Sequence, residues 1–397
     1  MLLNRARAEN IMAQEGLDGL IATTPENVTY LTDHHGDHWF IHTITVLAVL
    51  AKDKPKPVLI APITSITALT SKDIDVRAFG ELIFIKSNHF EPDEYDQALL
   101  EKRKELGSAA SPNAMQALFK TVRDLGLTNR RVAVDECNFT RNQFAALEAE
   151  FPKAKFVDGY DLFFRLRAVK TEEEIERLRT SVKATEAGLR AAEDILTPGV
   201  TEKELQLAYH LGVVKAGGLP LFTIVCSGQR SAHTNTVPGD RVIQPGDVIR
   251  FDIGSVYRYY KSDIARTFVA GGEPNETQQC YWNAVVAAEE AAMQAMKPGV
   301  TAGEVFRIAV QTAREAGIPN FKRNHVGHGI GIETYDQPIL TPDNPAVIEE
   351  GMVFCIEPPY NEFGVGGFQV EDTVVVRKNG VELLSTYHKN LAPHPKR

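Results

Sequence analysis

Residues 197–205, TPGVTEKEL, return one hundred positions later as KPGVTAGEV at 297–305. In each copy a Thr (Thr201, Thr301) is followed three places on by a Glu (Glu204, Glu304), the pattern of a capping box that opens a helix. The correspondence continues downstream. AGGLPLF (216–222) is answered by EAGIPNF (315–321), and VIQPGDVIRFD (242–252) by VIEEGMVFCIE (347–357). The last two blocks each close on a carboxylate six residues after a Gly, Asp252 in one and Glu357 in the other. Chance does not produce three such blocks in the same order twice. The repeat predicts two similar halves packed about a pseudo-twofold axis, with Asp252 and Glu357 at equivalent strand ends facing a shared centre.

Working outward, the stretch VIRFDIGSVYRYYKSDIARTF (248–268) holds a second aspartate, Asp263, eleven residues after Asp252. Val-Ile-Arg-Phe reads as a strand and the Tyr-rich segment as the start of a returning one, so a hairpin would bring both carboxylates to one end of a sheet. Alone, such a pair reads as ordinary turn aspartates. The repeat changes this, because Glu371 lies fourteen residues after Glu357 and gives the second half a matching pair.

The rest of the chain sets the frame. Its 397 residues predict two domains. A net charge of -9 without a Lys/Arg block argues against nucleic acid and acidic membranes as partners. Cys137, Cys226, Cys280 and Cys355 show no paired spacing and read as reduced thiols. The N-terminal MLLNRARAENIMAQEG reads as a charged amphipathic helix rather than a signal peptide, and no apolar run approaches the ~20 residues of a membrane span. A cytoplasmic protein is expected.

Residues 1–165 alternate helical and extended signals: helix over Arg5–Glu15, around Ala114–Asp124 and Arg141–Phe151, strand over Leu20–Thr23, Thr45–Ala51, Val58–Ala61, Leu82–Ile85 and Val132–Val134. That is an α/β domain with a mixed sheet. Its unusual feature is DHHGDHWFIH (33–42), where His34, His35, His38 and His42 crowd one loop beside Trp39 and Phe40. A loop facing substrate or a partner accounts for it better than a dedicated metal site, for which the loop has no second ligand cluster. Thr171 and Glu174 form another capping box, opening a long helix through Arg190. The domains are therefore set at 1–165 and 166–397.

Asp252, Asp263, Glu357 and Glu371 converging on one site cannot all ionise without cations. Two divalent ions held by two bridging and two terminal carboxylates fit four acids, and one imidazole would complete the shell. GHGIGIE (327–333) offers His328 between glycines, although alone it could be a structural loop histidine. Oxygen ligands with a single nitrogen suit Mn²⁺, or a similar first-row ion such as Co, Fe or Zn. Two such metals ~3.5–4 Å apart can bind a bridging water, lower its pKa and polarise a carbonyl, which is machinery for hydrolysing an amide.

FDIG…SDIARTF, GHGIGIE, IEPPY and QVEDTVVV resemble the five-ligand signature of the pita-bread metallopeptidases, which include prolidase, aminopeptidase P and methionine aminopeptidase. LDGLIATTPENVTYLT (17–32) resembles the creatinase-type N-terminal domain of the prolidase and aminopeptidase P branch. The resemblance covers nearly the whole chain. It implies an α/β (α+β) protein, a mixed-sheet N-terminal domain followed by a pseudo-twofold pita-bread catalytic domain. It also implies roles. Asp252 would chelate one metal, Asp263 and Glu371 would bridge both, and His328 with Glu357 would hold the other. Glu357 would shuttle protons for a metal-bridging hydroxide, and His233, in IVCSGQRSAHTN, would steady the tetrahedral intermediate.

Two positions depart from the family pattern, and both touch substrate. A second His of the peptidases is replaced by Tyr335, seven residues beyond His328, and an Arg two residues before the bridging Glu is replaced by Gln369. A phenol does not titrate near neutrality, and an amide cannot pair with a carboxylate as Arg does. The leading expectation is an Xaa-Pro dipeptidase or aminopeptidase; the alternative is a metal-dependent hydrolase of a small non-peptide amide, as ectoine hydrolase is. A non-catalytic binding protein is a third reading, disfavoured by the complete ligand set. The family also implies a homodimer in which the His34–His42 loop, with His38 and Trp39, narrows the partner's pocket.

Overall fold

The computed structural model describes residues 2–36, 45–68, 74–83, 85 and 87–393. It divides into two compact units, Met1–Arg167 and Ala168–Arg397.

The first unit is built on six strands: β1 (Gly19–Ala22), β2 (Leu47–Ala51), β3 (Val58–Pro62), β4 (Asp75–Phe79), β5 (Arg131–Val134) and β6 (Lys155–Asp158). Their order is β4-β3-β2-β1-β5-β6. β1-β2 and β2-β3 pair antiparallel, the other neighbours parallel, so the sheet is mixed as expected. Around it lie α1 (Arg5–Gln14), α2 (Pro25–Thr32), α3 (Glu94–Ser108), α4 (Ala114–Asp124), α5 (Arg141–Glu150) and α6 (Tyr160–Ala168). Ile21, Val49, Ile60 and Val132 pack under Leu118 and Val122 of α4. The fully buried Asp135 fixes the start of α2, accepting hydrogen bonds from the Thr24 amide at 3.0 Å, the Thr24 hydroxyl at 2.7 Å and the Asn27 amide group at 2.7 Å.

The expected strand at Leu82–Ile85 is not found among its described residues; the strand of this region is β4. Ile83 and Ile85 are 83% and 97% exposed, and strand propensity without a covered face does not make a strand.

The second unit shows the repeat directly. Its first half contains α7 (Glu172–Glu193), α8 (Glu202–Lys215), β7 (Leu219–Ser227), β8 (Val248–Tyr257), β9 (Tyr260–Lys261) and β10 (Ile264–Val269). Its second half contains α9 (Glu276–Ala295), α10 (Ala302–Glu315), β11 (Gly327–Gly329), β12 (Asp336–Ile339), β13 (Val353–Ile356), β14 (Tyr360–Glu362), β15 (Gly366–Phe368), β16 (Asp372–Arg377) and β17 (Gly380–Leu383). The two larger sheets run β10-β8-β7, with β9 paired to β8, and β12-β11-β13-β16-β17, and β14 and β15 form a separate ribbon.

Matching residues make matching bonds. Thr201 and Thr301 both close capping boxes. The Gly199 amide donates to the Ile243 carbonyl and the Gly299 amide to that of Ile348, at 2.9 and 3.0 Å, with φ of +103° and +95° that only glycine adopts without strain. The halves meet where Ala265 and Glu371 exchange backbone hydrogen bonds, joining the rim of β10 to the approach to β16.

α7 and α8 cross at a contact of two glycines. A Cβ on Gly212 would lie 2.7 Å from the Gly188 Cα, against backbone that cannot yield. Gly212→Val is therefore expected to destabilise the second unit by on the order of 2–3 kcal/mol. The loss of one helix cap in Thr301→Ala is expected to cost about 1 kcal/mol. Urea unfolding read from the buried Trp282, in a Trp39→Phe background that leaves it the sole indole, checks the ranking; a Gly212→Val protein as stable as its parent would contradict it.

Candidate metal centre

The topology delivers each acid to the line where the half-sheets meet. Asp252 is the fifth residue of β8, paired with Ala265 of β10 on one side and Ile224 of β7 on the other. Asp263 immediately precedes β10, Glu357 immediately follows β13, and Glu371 immediately precedes β16. His328 is the middle residue of β11, opposite Cys355.

Asp252, Asp263 and Glu371 each offer an oxygen within 4.8 Å of the others. His328 Nε2 lies 3.5 Å from Glu357 Oε1 and 3.8 Å from Asp263 Oδ2. The imidazole is oriented by its other nitrogen, as Nδ1 lies 2.9 Å from the Gly329 carbonyl; a proton there leaves the Nε2 lone pair aimed at the acids. All five side chains predicted from the sequence as metal ligands are thus brought together. Cys355 also comes near His328 and Glu371, but burial raises its thiol well above the usual range and its Sγ–H donates to the Asp263 carbonyl, so it stays a protonated neighbour.

The electrostatics of the cluster are lopsided. Burial, then the charges of its neighbours, pushes Asp263 and Glu371 well above the carboxylate range. Burial and Asp252 push Glu357 up to about 8, against the pull of Arg323 and Arg250, and burial also raises Asp252. Burial takes His328 down to about 4. Asp263 Oδ1, His328 Nε2, Glu357 Oε1 and Glu371 Oε1 are all buried without a hydrogen-bond partner. Orphaned acceptors of this kind, four oxygens or nitrogens with no donor, fit a divalent cation of oxygen preference.

The remaining site residues divide. Tyr335 stacks on the His328 ring, 3.8 Å between centroids at 22°, and covers it from the solvent side. With Phe222, Val237, Asp252 and Asp263 it lines a cavity of about 430 Å³. His233 is exposed, with its ring against Phe363 at 5.0 Å. Gln369 is buried and turned into the cluster, its amide nitrogen 3.3 Å from Glu357 Oε2 and 3.5 Å from Glu371 Oε2. His38 and Trp39 lie outside the described residues, as do Phe40 and His42.

Two features of the site were not anticipated. Arg250, two residues before Asp252 on the same strand face, is buried; its Nη1 donates to Gln369 Oε1 at 2.7 Å and lies 3.4 Å from Asp252 Oδ2. Its Nη2 donates to the His233 carbonyl at 2.7 Å and its Nε to the Ser231 carbonyl at 3.1 Å, so one guanidinium ties the His233 loop to the acids. A period-of-two reading of VIRFD would have exposed it, since an Arg there shares a face with Asp252. His325 Nδ1 lies 3.6 Å from Glu357 Oε1; three residues ahead of His328, it was legible only as one more His.

Comparison with known proteins agrees with this geometry. Residues 176–378 match metallopeptidase family M24, and residues 5–169 match the creatinase/prolidase N-terminal domain. The Xaa-Pro dipeptidase of Pyrococcus furiosus is 36% identical over 233 residues, which are 58% of this chain and 67% of the relative. The crystal structure of an X-Pro aminopeptidase from Thermotoga maritima aligns at a TM-score of 0.76 and 26% identity, over 98% of this chain and 99% of its own. An Xaa-Pro dipeptidase from Bacillus anthracis shares the fold at a TM-score of 0.80 and 24% identity, over 98% of each chain. The two half-sheets are those of the pita-bread fold, and the chain belongs to metallopeptidase family M24, in its prolidase branch.

Proposed function

We propose that this chain hydrolyses the amide bond of small Xaa-Pro peptides with the help of two divalent cations, Mn²⁺ first among the candidates. The observation that carries the reading is the convergence of four acids and an imidazole whose buried polar atoms have no protein partner. Asp252 would hold one cation, Asp263 and Glu371 would bridge, and His328 with Glu357 would hold the other. Bound there, the cations would polarise the scissile carbonyl and supply an activated water near neutral pH. Glu357 would take a proton from that water and return it to the leaving amine. His233, its backbone tied down through Arg250, presents an exposed ring able to donate to the carbonyl oxygen as negative charge develops there.

A second reading rests on Gln369. Its carbonyl is occupied by Arg250 and its amide faces Glu357 and Glu371, so it is not turned toward a substrate carboxylate. That favours keeping a small non-peptide amide as the alternative substrate class. A panel of Xaa-Pro dipeptides and longer Xaa-Pro peptides, assayed after Mn²⁺ loading, separates the two: turnover of dipeptides supports the peptidase reading, and turnover of none supports the alternative.

Asp263→Asn and Glu371→Gln are each expected to abolish turnover and metal retention together, read by metal analysis after gel filtration. Full activity in a metal-free Asp263→Asn protein would sink the two-cation reading.

The pKa shifts give a pH test. Glu357, raised from about 4.5 to about 8, contributes stability that is present below its unfolded value and is lost as pH rises through its folded value. Asp263 and Glu371 shift in the same direction. The metal-free protein should therefore lose thermal stability between pH 5 and pH 8, and Mn²⁺ should restore more of it at pH 8 than at pH 5. Equal gains from Mn²⁺ at both pH values would contradict this.

Gln369→Arg would restore the residue usual in the family but place a second guanidinium against Arg250. It is expected to weaken Mn²⁺ retention, whereas the double variant Arg250→Gln with Gln369→Arg recovers it. Calorimetric Mn²⁺ titration of the two proteins decides; a single variant that binds as tightly as wild type would show that Arg250 does not constrain this position.

A further inference from the structure

The two halves of the catalytic unit break their symmetry at one buried side chain. The first turns of α8 and α10 dock on the chain that follows through the same backbone bonds. The Glu202 and Lys203 amides donate to the Arg241 and Gly239 carbonyls at 3.3 and 3.1 Å. The Ala302 and Gly303 amides donate to the Ala346 and Asn344 carbonyls at 2.9 and 3.0 Å. Position 202 therefore corresponds to position 302, and a Glu stands in the first half where an Ala stands in the second. Both residues are fully buried. Since a methyl group suffices at the start of α10, the carboxylate at the start of α8 serves something other than the helix.

Its partners all lie on the segment that carries His233. Glu202 Oε1 accepts from the Ser227 amide at 2.9 Å, the Ser227 hydroxyl at 2.8 Å and Arg230 Nε at 3.2 Å. Oε2 accepts from the Gly239 amide at 2.9 Å. Ser227 is the last residue of β7, so one carboxylate ties together the two ends of segment 227–239. Arg230 extends the tie, its Nη2 donating to the Val237 carbonyl at 2.8 Å. Residues 235–238 of this segment line the cavity of about 430 Å³ together with Asp252 and Asp263. Arg250 holds the Ser231 and His233 carbonyls from β8, and Glu202 holds the ends from α8. A carboxylate this deeply buried is costly unless its oxygens are met by donors, and here the donors it gathers belong to the loop over the acids.

We propose that Glu202 is a positioning residue: by closing segment 227–239 it fixes His233 relative to the acid cluster. Its effect on turnover rests on the reading of the chain as a peptidase in which His233 donates to the developing oxyanion. The anchoring itself does not, because it is carried by bonds within the protein.

Two measurements on the Mn²⁺-loaded full chain test it. In Glu202→Ala, the kcat for an Xaa-Pro dipeptide is expected to fall about tenfold or more at unchanged metal content, the scale of a displaced catalytic group. Most of that loss should vanish in a His233→Ala background, because the effect runs through His233. Glu202→Gln, which keeps the shape and one oxygen acceptor, should recover part of the rate. Hydrogen exchange, read by mass spectrometry, should quicken severalfold over 228–238 in Glu202→Ala and stay as in the wild type over 303–346. Arg230→Gln cuts the tie to Val237 from a half-exposed side chain; it should show the same changes in smaller measure and serves where Glu202→Ala does not fold. A wild-type kcat in Glu202→Ala, or an undiminished loss in the His233→Ala background, overturns the positioning role while leaving the peptidase reading intact. Faster exchange over 228–238 in a protein that cleaves no Xaa-Pro peptide supports the anchor and sinks the peptidase reading. Unchanged exchange over that segment overturns the anchor whatever the substrate.

Discussion

Four carboxylates drawn to one buried point repel one another, and the catalytic unit is arranged around that repulsion. Two unit charges 4 Å apart interact by about 4 kcal/mol at an effective dielectric of 20. Several such terms rival the whole stability of a domain, about 5–15 kcal/mol. The protein shows how it treats an acid it means to neutralise itself. Burial would raise Asp372, but Arg266 at 2.6 Å and Lys389 at 2.7 Å outweigh it and hold the carboxyl down to about 2. Glu371, the residue before it in the chain, receives no such partner and goes well above its usual range. Strand alternation sends the two side chains to opposite faces, one to a protein cation and one to a site that asks for a cation from outside.

The same alternation explains why the duplicated architecture suits such a site. Each half supplies a strand end with an acid, and the joining bonds between Ala265 and Glu371 hold the two ends in register. A hairpin alone could present Asp252 and Asp263 but could not resist their repulsion, because a two-stranded ribbon is barely stable by itself. Here the acids sit on sheets whose outer faces are covered, by α7 and α8 on one side of the axis and by α9 and α10 on the other. Ile249, Phe251 and Ile253 of β8 and Phe354 and Ile356 of β13 anchor the acidic ends in two apolar clusters. The burial that raises the carboxyl pKa values is thus the burial that stabilises the fold.

Much of this was legible in the sequence, and the pattern of what was not is physical. Helix caps at Thr171, Thr201 and Thr301 are local devices, readable within four residues, and the repeat multiplies the signal. The four acids of the cluster were found because a duplicated frame gives their spacing meaning, and His328 because four converging acids call for an imidazole that GHGIGIE offers. Strand alternation in VIRFD puts Arg250 on the face of Asp252, but its other partners, Ser231, His233 and Gln369, lie 17 to 119 residues away and are not visible there. In the first unit, Leu82–Ile85 had the composition of a strand but its described residues join no sheet, while β4 and β6, with mixed polar and apolar residues, are strands because β3 and β5 offer them edges.

The charge around the cluster gives the position of Gln369 a cause. Arg250 reaches the acids from β8 and fills the space beside Asp252, so a second guanidinium arriving from the approach to β16 would face it at the 2.7 Å now spanned by a hydrogen bond. A neutral amide resolves this, because it accepts from Arg250 with one end and donates toward Glu357 and Glu371 with the other. Gln at 369 is thus matched to the guanidinium that β8 supplies. It leaves the acids with two facing cations, Arg250 and Arg323, of which Arg250 is the one held by hydrogen bonds among the described residues. A guanidinium held in this way keeps positive charge beside Asp252 without adding a cation at 369, and the pull of Arg250 and Arg323 on Glu357 is still outweighed by burial and by Asp252.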